Sequence, residues 1–288
     1  MSDVFIEASE LRAALASAQP PLLLDLRWHL VPGRPEDPAH PVGLADHLDE
    51  HLPGAVFVDL AAELASEPSP QAGRHPLPTP EDFAAAVARW GAAEGQTLVF
   101  VDDQGGLSAA RGWWLARHAG LPARILDGGI QAWIAAGGKT ESGPVTPPVP
   151  AAPARPGWGG MPVVDVDEAQ TLAAGDDAVV LDARAPERYR GDEEPIDPRA
   201  GHLPGAVSVP TAGNLGPGRR LLDAAALRER FEAAGVRSGV RTAVYCGSGV
   251  TAAHEVAALT QAGFEAALFP GSFSQYAADA SRPVATGA

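Results

Sequence analysis

His51-Leu52-Pro53-Gly54-Ala55 returns unchanged as His202-Leu203-Pro204-Gly205-Ala206. Further pairs flank this match in the same order. Leu24-Asp25-Leu26-Arg27 precedes the first copy and Leu181-Asp182-Ala183-Arg184 the second. Residues 103–108 answer to residues 246–251, and Asp127-Gly128-Gly129 answers to Pro270-Gly271-Ser272. The offset is 157 from Asp25 to Asp182 and 151 from His51 to His202. It is 143 both from Asp103 to Cys246 and from Asp127 to Pro270. It changes only between motifs, as differences in loop length would make it. Ordered matches on both sides of an identical pentapeptide mark a duplicated domain.

Each half alternates apolar runs with helical segments. Leu22-Leu23-Leu24 and Leu98-Val99-Phe100-Val101 read as buried strands in the first half, as do Ala178-Val179-Val180-Leu181 and Ala243-Val244-Tyr245 in the second. Thr79 and Pro80 start a helix that carries Phe83, Val87 and Trp90 and stops at Gly91. Asp223 caps another, with Leu227 and Phe231 on its inner face and Gly235 beyond its end. Strands alternating with helices predict an α/β protein with parallel sheets covered on both faces. Residues 140–160 hold six prolines, at 144, 147, 148, 150, 153 and 156. That stretch reads as a stiff, extended linker.

The 288 residues suffice for two domains, and 45% hydrophobic with 20% charged residues is a globular composition. A net charge of −15 argues against nucleic acid or an anionic membrane as partner. An anionic substrate must then be gathered by a local arginine cluster. A single cysteine excludes an internal disulfide and a cysteine-based zinc site. The N-terminus lacks a basic segment followed by an apolar one, and no apolar run is long enough to span a membrane. A soluble cytoplasmic chain, most simply a monomer, is the expectation.

The one cysteine, Cys246, ends the strand Thr242-Ala243-Val244-Tyr245 and opens the loop Cys246-Gly247-Ser248-Gly249-Val250-Thr251-Ala252. A helical stretch, 253–259, follows. A thiol at a strand-to-helix turn faces the positive end of a helix dipole and unpaired backbone N–H groups, which favour the nucleophilic thiolate. The glycines let the N–H groups of Gly247, Gly249, Val250 and Thr251 turn inward as an anion-binding ring.

Together these features resemble the tandem-domain rhodanese family of sulfurtransferases. The resemblance covers nearly the whole chain. It rests on the Leu-Asp-x-Arg strands, the two His-Leu-Pro-Gly-Ala turns, Leu126-Asp127-Gly128-Gly129 with Trp133, and the cysteine loop. It implies two rhodanese-like domains, each a mainly parallel sheet flanked by helices. Residues 1–139 form an inactive domain with Asp103 at the cysteine position, 140–160 the linker, and 161–288 the catalytic domain. The Cys-Gly-Ser-Gly-Val-Thr-Ala form is similar to that of 3-mercaptopyruvate sulfurtransferases, whereas thiosulfate-preferring relatives usually carry Arg-Lys after the cysteine.

The implied reaction is transfer of sulfane sulfur through a Cys246 persulfide to cyanide, a small thiol or thioredoxin. It requires no metal or organic cofactor. Family correspondence makes Arg188 the ligand of a small anionic donor's carboxylate and Ser248 a proton relay. It also makes His75, from the inactive domain, a partner in that relay. Arg74 is a further donor-steering residue, and Arg199 a second carboxylate contact. Relatives with a Ser-His-Asp relay carry Asp where this chain has Ala61, so the acid is missing or is supplied by Asp59 or Glu63. Arg184 is expected to pair with Asp182, and His51 and His202 to be structural. Thiosulfate is the alternative donor. A non-catalytic sulfur carrier or binding module is a further reading, against which the intact loop and Arg188 count. A Cys-x5-Arg phosphatase is disfavoured because Ala252 stands where the arginine belongs.

Overall fold

A computed structural model describes residues 4–30 and 39–288. The first half holds strands β1 (Phe5–Ile6), β2 (Leu22–Asp25), β3 (Val56–Phe57), β4 (Leu98–Val101) and β5 (Ala123–Leu126). They form one sheet in the order β1-β5-β4-β2-β3, with every pair parallel. The second half holds β6 (Ala178–Asp182), β7 (Val207–Ser208), β8 (Arg241–Tyr245) and β9 (Ala267–Leu268), in the order β7-β6-β8-β9, again all parallel. The two orders superimpose. The place of β1 is reduced in the second sheet to Val163, which bridges Leu268 in parallel register.

Alternation along the strands sorts side chains into layers. Leu98 and Phe100 of β4 point into a core that spans both halves and also takes in Leu181 and Val244. Val99 and Val101 point the other way, into a first-half layer with Leu11, Leu126 and Trp133. In the second half Ala243 and Tyr245 join Phe273 and Tyr276 on the outer side. At the centre of the shared core the helices Ala109–His118 and Thr251–Gln261 lie against each other. Both helices are rich in small buried residues, Ala109, Ala110, Ala253 and Ala257 among them. A Cβ on Gly112 would lie 2.3 Å from the Phe100 ring.

Local signals read from sequence appear as physical contacts. Thr79 Oγ1 accepts the Asp82 N–H to cap helix Pro80–Trp90, which ends at Gly91 with φ of +75°. Asp223 accepts the N–H groups of Ala225 and Ala226 and caps helix Ala224–Ala233. The proline-rich segment contains no helix or strand, but it is not a free spacer. Ala154 and Gly157 N–H donate to Ala92 and Ala119 O, and Trp158 packs against Phe83 and His118. It is strapped along the first half. Among the described residues no helix is long and apolar enough to cross a membrane.

Candidate active site

Cys246 leaves the carboxyl end of β8 and is buried, at 2% exposure. The Gly249 N–H donates to its Sγ at 3.2 Å. Gly249 has φ of +79°, and a Cβ there would lie 2.4 Å from Pro270 O, so only glycine permits this approach. The turn after β9 pins the loop from below. Ser272 Oγ accepts the Cys246 N–H at 3.1 Å and donates to Phe269 O. Phe273 and Ser274 N–H donate to the carbonyls of Cys246 and Gly247. Ser272 is held at φ of +53°, a strained position for a residue with a Cβ.

The matching loop of the first half shows what this backbone shape binds. There the fully buried Asp102 carboxylate accepts the N–H groups of Gln104 and Gly106 on Oδ1, at 3.0 and 2.8 Å. Oδ2 accepts those of Ser108 and Ala109, at 2.9 and 3.1 Å. The same offset of 143 maps these four donors onto Gly247, Gly249, Thr251 and Ala252. Tyr245 replaces Asp102, and its hydroxyl is turned away to accept the Leu203 N–H. The second loop therefore has an anion-binding shape without a built-in anion, and one N–H of that ring, Gly249's, is turned onto Cys246 Sγ. Asp103, the residue aligned with Cys246, faces His29 at 3.6 Å instead.

Three further groups converge on the loop. His75 reaches across from the first half, with Nδ1 2.8 Å from Ser248 Oγ. Its ring packs edge-on against Trp28. Arg188 donates from Nη2 to Glu194 Oε1 at 2.7 Å and to Asp197 Oδ2 at 2.9 Å. Arg74 Nη1 is bonded to the other oxygen of Asp197. One carboxylate thus anchors one arm of each guanidinium. The other arms lie over Gly247, where a Cβ would sit 2.9 Å from Arg74 Nη2 and 3.3 Å from Arg188 Nη1. Arg74 Nη2 is buried and bonds nothing among the described residues. Burial pushes the Asp197 carboxyl up, against the downward pull of Arg74 and Arg188. A cleft of about 310 Å³ opens here, lined by Ser69, Arg74, Ile196, Asp197 and Ser274. A larger concavity of about 560 Å³ lies at the start of β8, the opposite end of the sheet, and holds none of these residues.

Some expectations need correction. Arg199 is not a donor contact. Its guanidinium is spent on the carbonyls of Tyr276, Ala277, Asp279 and Arg282, where it ties down the C-terminal segment. Glu63 does not serve His75, because its carboxylate is taken up by Arg89, Trp90 and the Asp59 N–H. Asp59 Oδ1 caps the short helix Leu60–Glu63. Arg184 pairs with Asp182 at 2.6 Å, while His51 and His202 bond backbone carbonyls. Val250 and Thr251 lie where the loop passes into helix Thr251–Gln261. Two residues escaped the sequence reading. Asp197 orients both arginines, and Arg111 reaches the loop from the first half. Asp197 sits in an acidic run that reads as surface, and Arg111 in a helix that reads as core.

The rhodanese-like domain family matches this chain twice, at residues 7–136 and 165–279. A Mycobacterium tuberculosis chain named as a thiosulfate sulfurtransferase, SseB, is 41% identical over 99% of this chain and 97% of its own length. A Pseudomonas aeruginosa chain named as a 3-mercaptopyruvate sulfurtransferase is 39% identical over all of both chains. The solved structure of 3-mercaptopyruvate sulfurtransferase from Leishmania major is similar with a TM-score of 0.80 at 28% identity. That match covers 96% of this chain and 74% of the other.

Proposed function

The chain belongs to the rhodanese family and is a sulfurtransferase, and from that premise we propose that it takes sulfur from 3-mercaptopyruvate and carries it as a persulfide on Cys246. The catalytic domain is 161–288, joined by 140–160 to a first domain that lends His75 and Arg74. The Cys246 thiolate attacks the donor sulfur. The carbon–sulfur bond breaks, and its electron pair leaves on carbon as the enolate of pyruvate, which takes up a proton. The persulfide then passes its outer sulfur to a nucleophile, cyanide, a small thiol or thioredoxin, and the thiolate is regenerated. The loop N–H ring stabilises sulfur anion in both halves of the cycle. The free arms of Arg74 and Arg188 grip the donor carboxylate.

One observation carries the choice of donor. Ser248 Oγ, two residues from Cys246, is hydrogen-bonded to His75 at 2.8 Å. A hydroxyl backed by an imidazole supplies the proton that the enolate needs. Sulfite, leaving from thiosulfate, needs none. The two arginine arms over Gly247 favour thiosulfate as the second reading, since a dianion gains from both. Initial rates with the two donors side by side decide. A higher kcat/KM for mercaptopyruvate is expected, and a higher value for thiosulfate overturns the donor while leaving the reaction class. The reading places the enzyme in the cytoplasm, where a lone thiol stays reduced.

A further inference from the structure

Arg111 is wholly buried in helix Ala109–His118 of the first domain. Its Nη2 donates to the carbonyls of Leu64, His75 and Pro76 at 3.0, 2.9 and 3.1 Å. Its Nη1 crosses the domain boundary and donates to Gly249 O at 3.2 Å. Among the described residues no carboxylate pairs with it. Carbonyl dipoles alone surround the cation, and burial lowers its pKa to about 10, so it keeps its charge at neutral pH. Cys246 is the titratable neighbour that works against that lowering. Gly249 is bonded at both ends, by its N–H to Cys246 Sγ and by its C=O to Arg111.

The repeat supplies an internal comparison. The offset that takes Asp103 to Cys246 takes Arg111 to His254. His254 makes the reciprocal crossing, out of helix Thr251–Gln261 toward the first-half loop, where a Cβ on Gly106 would lie 3.5 Å from its Cδ2. Burial lowers its pKa to about 4, so the imidazole is neutral at pH 7. At this matched pair of positions each loop thus receives a side chain from the opposite domain. The loop filled by Asp102 receives a neutral ring, and the loop holding Cys246 receives a cation.

We propose that Arg111 is a positioning residue of sulfur transfer, lent by the non-catalytic domain: by its bond to the Gly249 carbonyl it holds Gly249 in place against the sulfur, and it supplies the buried positive charge that balances the Cys246 thiolate and persulfide. The inference rests on the persulfide reading above. Because Arg111 also bonds His75 O, it sets the spacing between the sulfur and the proton relay. It acts on the sulfur and not on the donor, so its effect is the same whichever donor is used.

The test compares full-length wild type, Arg111→Met and Arg111→Lys, each checked for folding by circular dichroism. Wild type is first loaded with 3-mercaptopyruvate or thiosulfate and weighed intact. If it gains no sulfur, the persulfide reading fails and takes this inference with it. If it loads, the variants judge Arg111 alone. Arg111→Met is expected to lose about 100-fold in kcat, the scale of one lost anion-stabilising donor, with KM within about twofold and equal losses for both donors. Arg111→Lys, which keeps the charge, is expected to recover at least about a tenth of the wild-type rate. A folded methionine variant with wild-type kcat overturns the proposal, as does a folded lysine variant no better than methionine. If neither variant folds, wild type decides by itself. A persulfide is a stronger acid than a thiol, so loading increases the negative charge beside the cation and raises Tm by on the order of 3 °C, and an unchanged Tm overturns the proposal.

Discussion

His75 and Ser248 stand 173 residues apart in the chain and meet across the domain boundary, Nδ1 to Oγ, at 2.8 Å. Both side chains are buried beside a nucleophile that is itself only 2% exposed. On the reading proposed above, the pair is a proton path internal to the protein, and the domain without a cysteine contributes half of it.

His75→Ala should separate the two donors. Its kcat with mercaptopyruvate is expected to fall about 100-fold, the usual scale of a lost general acid. Its rate with thiosulfate should stay within about threefold, because the sulfite that leaves carries its own charge. Initial rates with both donors check this. Equal losses would reduce His75 to a prop for the loop.

Cys246→Ser should abolish sulfur transfer and leave the fold intact, since oxygen cannot form the persulfide and the two side chains are close in size. Intact mass after donor treatment should show no added sulfur, and thiocyanate formation should fall below about 1% of wild type. Turnover above that level would move the sulfur carrier elsewhere.

Arg188→Ala should raise KM for mercaptopyruvate and lower kcat/KM by roughly 2–4 kcal/mol, the range for a lost bidentate carboxylate contact. It should also lower Tm, because Glu194 and Asp197 lose a buried partner. Arg74→Ala removes one ion pair from Asp197 and should weaken donor binding with a smaller loss of Tm. Steady-state kinetics and thermal melts on the two variants check both halves. Unchanged kcat/KM in Arg188→Ala would take it out of the site.

Glu255 should make stability depend on pH. It is fully buried, and Asn214 Nδ2 donates to it at 2.6 Å. Burial raises its pKa from 4.5 to about 7, against the pull of Thr211, Asn214 and Arg230. Its contribution to stability is fully present below 4.5 and is lost as pH rises through 7. His254 has the opposite sign, destabilising the fold as pH falls from 6.5 toward 4. Glu255→Gln keeps an acceptor for Asn214 and removes the buried charge. It should raise stability at pH 8, by on the order of 3 kcal/mol at most, and change it little at pH 5. Thermal melts of both proteins at the two pH values measure the difference. A pH-independent shift would mean that Glu255 is not the titrating group.

Much of the fold was legible because the chain states it twice. The repeated pentapeptide, the capped helices at Thr79 and Asp223, and the apolar strand runs are local signals, and local contacts satisfy them. Cys246, Ser248, His75 and Arg188 each sit in a short motif, and the structure brings all four to one loop. What sequence could not give were meetings set by packing. Nothing along the chain next to Cys246 is cationic, yet Arg74 and Arg188 arrive over Gly247 from two domains. Arg111 is indistinguishable in sequence from a core helix residue, because its role depends on which carbonyls surround it. Arg199 misled for the converse reason: a well-spaced arginine was drawn off by the carbonyls of the C-terminal segment.

The carboxylate of Asp102 in the first-half loop also bears on ancestry. Replacing Asp103 by cysteine would not revive that domain, since the ring of N–H groups is already filled and a thiolate there would meet a negative neighbour. A second change, Asp102→Tyr, is needed to restore what Tyr245 does in the other copy. In a Cys246→Ser background, Asp103→Cys alone should take up no sulfur by intact mass, and only the pair of changes gives the first domain a chance to do so. Neither step is rewarded without the other. The first domain is thus closed to sulfur at two positions at once, while His75, Arg74 and Arg111 reach out of it to the loop of the other copy.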